Sequence, residues 1–132
     1  MSKIEESFWI ANENFNMEIE KLDQNNMLNR TNLPISDKRL EHGVVIGPYK
    51  VDFVYGDYTV IELDGHEYHK TKEQRDHDYK RERYLQKLGY IVIRFTGTEV
   101  FLDARSCIID MVTIHNLFEE KLIDAWMKGS ES

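Results

Sequence analysis

The sequence predicts a single α/β (α+β) domain, a mixed β-sheet flanked by helices in the order αβββαβα. Three observations carry that expectation. Apolar residues recur at spacings of three and four in the first and last segments, the signature of helices with one buried face. Between them lie short β-forming runs punctuated by turn dipeptides. A further strand follows the middle helix, so a strand–helix–strand crossover is joined to a hairpin. The 132 residues amount to one domain, and 41% hydrophobic with 11% aromatic residues supply a core.

The elements follow in order. Ile4, Phe8, Ala11, Phe15, Ile19 and Leu22 form the stripe of a first helix, which Ser2 and Glu5 open as a capping box. The Asn-rich stretch from Asp23 to Ser36, with Pro34 inside it, reads as a loop. His42 to Ile46 and Lys50 to Tyr55 are β runs separated by Gly47-Pro48, and Tyr58 to Asp64 follows Gly56-Asp57 at hairpin spacing, giving an antiparallel meander. Thr71 with Gln74 opens a second helix that reaches about Leu88 and closes at Gly89, with the stripe Asp78, Arg81, Leu85, Leu88. Ile91 to Phe95 is apolar almost throughout, as a strand covered on both faces would be. Ala104, Ile108, Met111, His115, Phe118 and Leu122 mark the last helix.

Composition narrows the function classes. No stretch approaches the roughly 18 apolar residues of a membrane span, and the acidic N-terminus does not read as a signal peptide, so the expectation is a cytoplasmic protein without a membrane partner. A lone cysteine, Cys107, excludes an internal disulfide framework and a cysteine-based zinc site. The net charge of −7 disfavours nucleic acid at first sight. Its distribution does not: of the 17 basic residues, Lys70, Lys72, Arg75, Lys80, Arg81, Arg83 and Lys87 fall in one short segment, while much of the acid lies near the two ends. A helix with a solvated mixed-charge face explains that segment equally well.

The stretch VDFVYGDYTVIELDGHEYH carries the chemistry. Glu62 and Asp64, two apart in a strand, share a face, and a hairpin can bring Asp52 beside them. Three close carboxylates repel unless a cation or protons compensate. Hard oxygen ligands of this kind suit Mg²⁺ or Mn²⁺, and hence metal-assisted phosphodiester hydrolysis. The plainer alternative is the wet side of an antiparallel sheet. His69, just beyond the strand, is a candidate general base, with a weaker case for His66 and none for His42, His77 or His115. Asp78 and Arg81 are unusual on a core-facing stripe. They form either an i, i+3 ion pair or part of a site in which Asp78 orients His69 and Arg81 or Arg75 meets a phosphate.

The pieces IGPYKVDF, VIELDGHEYH and DYKRERYLQKLGYIVIRFTGTEV together resemble the short bacterial and phage proteins related to very-short-patch-repair endonucleases, including the EDxHD homing endonucleases of the restriction-endonuclease-like PD-(D/E)XK superfamily. The resemblance runs from Gly47 to about Val100. It implies a metal-binding Asp52, and Glu62 and Asp64 at the positions of the superfamily's (D/E)xK pair, with Asp64 in place of the usual lysine. It also implies His69 as general base, site roles for Asp78 and Arg81, and Glu5 (or its neighbour Glu6) as the acid of the first helix. The resemblance to that branch also implies the main-chain carbonyl of Leu63 as the alternative to Glu62 as a metal ligand. The activity implied is Mg²⁺- or Mn²⁺-dependent cutting of double-stranded DNA, with Lys70, Lys72, Arg75 and Arg81 on flanking phosphates. A second copy of the chain or an accessory DNA-recognition domain or protein would be the partner, in a bacterial or phage setting. Two other readings stay open: a catalytically idle DNA-binding or interaction module, and a hydrolase of small phosphoesters.

Overall fold

The computed structural model describes residues 1–35, 37–65 and 70–130. Helix α1 (Lys3–Gln24) opens with the expected capping box: the Glu5 amide donates to Ser2 Oγ at 3.2 Å and the Ser2 amide to Glu5 Oε1 at 2.8 Å. Its buried residues Phe8, Asn12, Phe15 and Ile19 follow the helical period. The expected loop after it contains one short 3-10 turn, Leu28–Arg30.

Strands β1 (Leu40–Ile46), β2 (Tyr49–Tyr55), β3 (Thr59–Asp64) and β4 (Ile91–Thr96) form one sheet in the order β1-β2-β3-β4. The first three make the antiparallel meander, and β4 runs parallel to β3 through the crossover helix α2 (Lys72–Lys87). The β1–β2 turn needs Gly47: its φ is +56°, and a Cβ there would collide with the Tyr84 hydroxyl. Helix α3 (Gly97–Ser130) kinks at Asp103, whose extended backbone (φ −159°) lets Oδ1 accept the Ser106 amide at 3.1 Å and cap the longer segment.

The sheet separates two apolar layers. On one face Phe8 and Phe15 of α1 and Ile108, Met111 and Val112 of α3 pack on Phe53, Tyr55, Ile61 and Phe95. On the other, Leu85 of α2 packs on Val54 and Val60, with Tyr84 and Val92 beside them. Among the described residues no helix is long and apolar enough to cross a membrane.

Three details differ from expectation. Leu88 is exposed because it is the C-cap of α2, and Tyr84 takes its place in packing. Strand β4 is half-buried rather than covered on both faces, since it lies at the edge of the sheet. The α3 stripe leaves the core before Leu122, which is exposed along with Trp126 because the helix runs past the sheet. His115 stays inside: Nδ1 lies 2.7 Å from Thr59 Oγ1, the ring stacks on Tyr58, and burial pushes its pKa down.

Candidate active site

Glu62 falls on the α2 side of the sheet through alternation with Ile61, and Asp64 follows it on the same face, whereas Asp52 sits between Val51, which packs in the α2-side layer, and Phe53, which packs in the other. The β2–β3 ladder runs from Tyr55↔Thr59 to Phe53↔Ile61. Past that pair a side chain replaces the strand: the Leu63 amide donates to Asp52 Oδ2 at 2.8 Å. In an extended chain the N–H and C=O of one residue point to the same neighbour. The Leu63 carbonyl therefore also faces the Asp52 side.

Asp52, Glu62, Leu63 and Asp64 line one cavity of about 350 Å³, with cationic Lys50, Lys70, Arg81 and Arg94 around them and Asp78 on its rim. Glu62 is only 5% exposed. Arg81 Nη2 stands 2.6 Å from Glu62 Oε1 but donates its hydrogen bond to the Lys50 carbonyl at 2.7 Å. The Arg81–Glu62 contact is therefore one of charge without hydrogen-bond geometry, and among the described residues no donor bonds the buried Oε1. Burial pushes the Glu62 carboxyl up to about 7; the Arg81 charge opposes this and the neighbouring Asp52 carboxylate adds to it. Arg94 reaches Asp64 Oδ1 at 3.5 Å and donates from Nε to Glu82 at 3.0 Å. Lys70 bonds Asp78 at 2.6 Å and thereby holds the Asp78 carboxyl below its ordinary value.

The fold thus gathers Asp52, Glu62, Leu63, Asp64, Lys70, Asp78 and Arg81 at one cavity. The Asp78–Arg81 pair weighed from sequence gives way to longer-range partners, Lys70 for Asp78 and Glu62 for Arg81. Arg81 is occupied inside the site, whereas Lys72 and Arg75 lie exposed on the first turn of α2. His69 lies outside the described residues, as does His66. Glu5 stands at an adjoining hollow of about 400 Å³ that shares Lys50 and Asp52 with the first. Its Oε2 lies 3.0 Å from His42 Nε2. Burial raises the Glu5 carboxyl, but the Ser2 amide, His42 and the Ser2 hydroxyl outweigh that and hold it below its ordinary value.

Sequence reasoning passed over three residues at these cavities: His42, Lys50 and Arg94. Arg94 was within reach, because a parallel β3–β4 pair sets it beside Glu62. His42 was not, since its partner Glu5 is 37 residues away on another element.

Among the described residues no group of three His, Cys, Asp or Glu side chains is placed to cage a metal ion. Mg²⁺ seldom asks for such a cage, binding through one or two carboxylates while water and substrate phosphate supply the rest. The donor set here fits that habit: carboxylate oxygens, a main-chain carbonyl facing the same side, and a buried Glu62 oxygen that no described residue donates to.

No curated protein and no solved structure matches the chain. One family does: the model of REase_MTES_1575, a restriction-endonuclease-like family, matches residues 26–114, a span that takes in every strand, α2 and the acid cavity but begins after Glu5. That span is about two thirds of the chain, and the mixed sheet with helices on both faces is consistent with a restriction-endonuclease-like α/β fold, so this chain belongs to the restriction-endonuclease-like family REase_MTES_1575.

Proposed function

We propose that the domain is a metal-dependent endonuclease hydrolysing phosphodiester bonds of double-stranded DNA, akin to the short-patch-repair and EDxHD homing enzymes. The observation that carries the proposal is the meeting of Asp52, Glu62, Asp64 and the Leu63 main chain at one cavity with cationic walls. Asp52 and Asp64, with Glu62 or the Leu63 carbonyl, are the residues that would hold Mg²⁺ or Mn²⁺. The ion, when bound, supplies a polarised phosphoryl oxygen and a water of lowered pKa.

The chain's own groups do the remaining work. Asp52 is aimed by the Leu63 amide and Glu62 is held by Arg81, so both acids are positioned before substrate arrives. His69 accepts the proton of the attacking water, the role its resemblance implies. Lys70, Lys72 and Arg75 lie where the DNA backbone would pass along the start of α2, while Arg81 serves as counter-ion to Glu62. A second copy or an accessory domain completes recognition and the cutting of both strands.

Plasmid nicking in Mg²⁺ by wild type, Asp52→Asn and His69→Ala tests the proposal, with end analysis for 5′-phosphate and 3′-hydroxyl. Equal cutting by all three proteins would remove the site assignment. One observation favours a second reading, the idle module: Arg81 and Arg94 already contact Glu62 and Asp64. Calorimetric titration with Mn²⁺ separates the two, since an idle module takes up no metal near neutral pH.

A further inference from the structure

Four cations line the acid cavity, and their contacts tell them apart. Lys70 bonds Asp78 at 2.6 Å. Arg81 is held between Glu62 and the Lys50 carbonyl. Lys50 runs its side chain past Gly43, where an added Cβ would stand 3.2 Å from Cε, and Gly43 lines the neighbouring hollow. Arg94 is different. Its Nε donates to Glu82 Oε1 at 3.0 Å, and among the described residues its two terminal nitrogens make no hydrogen bond. Nη1 only approaches Asp64 Oδ1, at 3.5 Å.

Strand register puts the guanidinium there. Arg94 pairs with Glu62 across the parallel β3–β4 ladder, and its neighbours Ile93 and Phe95 pack in the opposite layer, so Arg94 shares the α2 face with Glu62 and Asp64. The bond at Nε fixes the plane of the fork and leaves its terminal N–H groups for a ligand. Such a fork matches phosphate oxygens and keeps its charge at every working pH. Its contact with Asp64 is loose: 3.5 Å against the 2.6 Å of Arg81 on Glu62, with 43% of the Asp64 side chain in solvent. An ion pair this exposed holds its partners weakly. A phosphate seated at Asp64 is therefore seated at Arg94 as well.

We propose that Arg94, oriented by Glu82, is a catalytic residue that donates from its terminal nitrogens to a nonbridging oxygen of the scissile phosphate. The inference rests on the nuclease reading given above. Negative charge gathers on the nonbridging oxygens as the attacking water bonds to phosphorus. A donor already aimed at them stabilises that state more than the ground state. Arg94 also offsets the repulsion between an incoming diester and the carboxylates of Asp52, Glu62 and Asp64. It moves no proton. Glu82, on α2, is a positioning residue that acts only through the guanidinium.

The experiment compares wild type, Arg94→Gln, Arg94→Lys, Glu82→Gln, the double variant Arg94→Gln with Glu82→Gln, and Asp52→Asn. Plasmid nicking in Mg²⁺ at saturating protein gives the rate, and duplex affinity in Ca²⁺ gives the binding. Calorimetry with Mn²⁺ alone and urea midpoints report metal affinity and folding. Arg94→Gln should nick about 100-fold or more slowly at saturation, the usual worth of one such donor, a larger loss than in its affinity for DNA. Arg94→Lys, which keeps the charge without the fork, should fall between. Glu82→Gln should slow the wild-type chain yet add nothing to Arg94→Gln, as a residue acting only through Arg94 must. Mn²⁺ should bind Arg94→Gln at least as tightly as wild type, because Asp64 loses a competing cation. Nicking by Arg94→Gln at the wild-type rate overturns the role, as does a loss confined to DNA affinity or to Mn²⁺ binding. If glutamine at position 94 lowers the urea midpoint, Arg94→Lys and Glu82→Gln decide: slow nicking by folded protein supports the role, and wild-type rates in both overturn it. If wild type nicks nothing, or Asp52→Asn nicks as fast as wild type, the nuclease reading fails and takes this inference with it.

Discussion

Replacing Glu62 by glutamine should flatten the pH dependence of stability across the acid and neutral range. The carboxyl is 5% exposed and is carried from its ordinary value of 4.5 to about 7. Each tenfold in proton affinity is worth about 1.4 kcal/mol, so ionised Glu62 costs the folded state about 3 kcal/mol relative to its protonated form. The sign follows from the direction of the shift. Between pH 4.5 and 7 the folded state holds a proton that the unfolded chain has lost. The stabilisation is therefore full below that window, declines as pH rises through it and is gone above it. Glutamine carries no such proton and retains an acceptor for Arg81. Urea unfolding of both proteins at pH 5, 6, 7 and 8 in EDTA provides the assay. The variant should match wild type near pH 5 and exceed it by up to about 3 kcal/mol at pH 8. Curves that stay parallel from pH 5 to 8 would refute the account of Glu62 as an acid whose proton affinity is raised by burial.

Gly47→Ala should lower stability by about 1–3 kcal/mol in the same urea assay, because the added methyl meets both the left-handed backbone penalty and the Tyr84 hydroxyl. Phe8→Ala removes a fully buried ring lying 5.3 Å from Phe53 and 5.9 Å from Phe95, and should cost about 3–5 kcal/mol by urea or thermal unfolding. Thr71→Ala breaks the capping box that starts α2, and should cost about 1 kcal/mol with faster amide exchange at Gln74.

Much of the fold was legible because its signals are local. Ser2 with Glu5 and Thr71 with Gln74 each encode a helix start within four residues, and Gly47 and Gly56 mark turns by their left-handed backbone. The acid pair was legible for the same reason, since strand alternation alone puts Glu62 and Asp64 on one face. Cations and imidazoles proved harder to place. Arg81 looked free for phosphate, yet it turns inward to Glu62 and the Lys50 carbonyl, and only the packing of α2 on β2 and β3 decides that. Glu5 was weighed as either cap or site residue; its two oxygens take one partner each, Ser2 and His42. Leu122 and Trp126 continue an apolar period beyond the point where the sheet ends, and periodicity contains no information about what stands opposite.

The bond from the Leu63 amide to Asp52 makes main chain and carboxylate parts of one hinge. Any loosening at the open end of β2 and β3 swings the acid out of aim, so the alignment of the pocket is inherited from the sheet's own breathing. Deuterium uptake at Leu63 thus reports how often that alignment lapses, with neither substrate nor ion required. Alanine at position 52 should unlock that amide, whereas asparagine, retaining an oxygen, should leave it guarded.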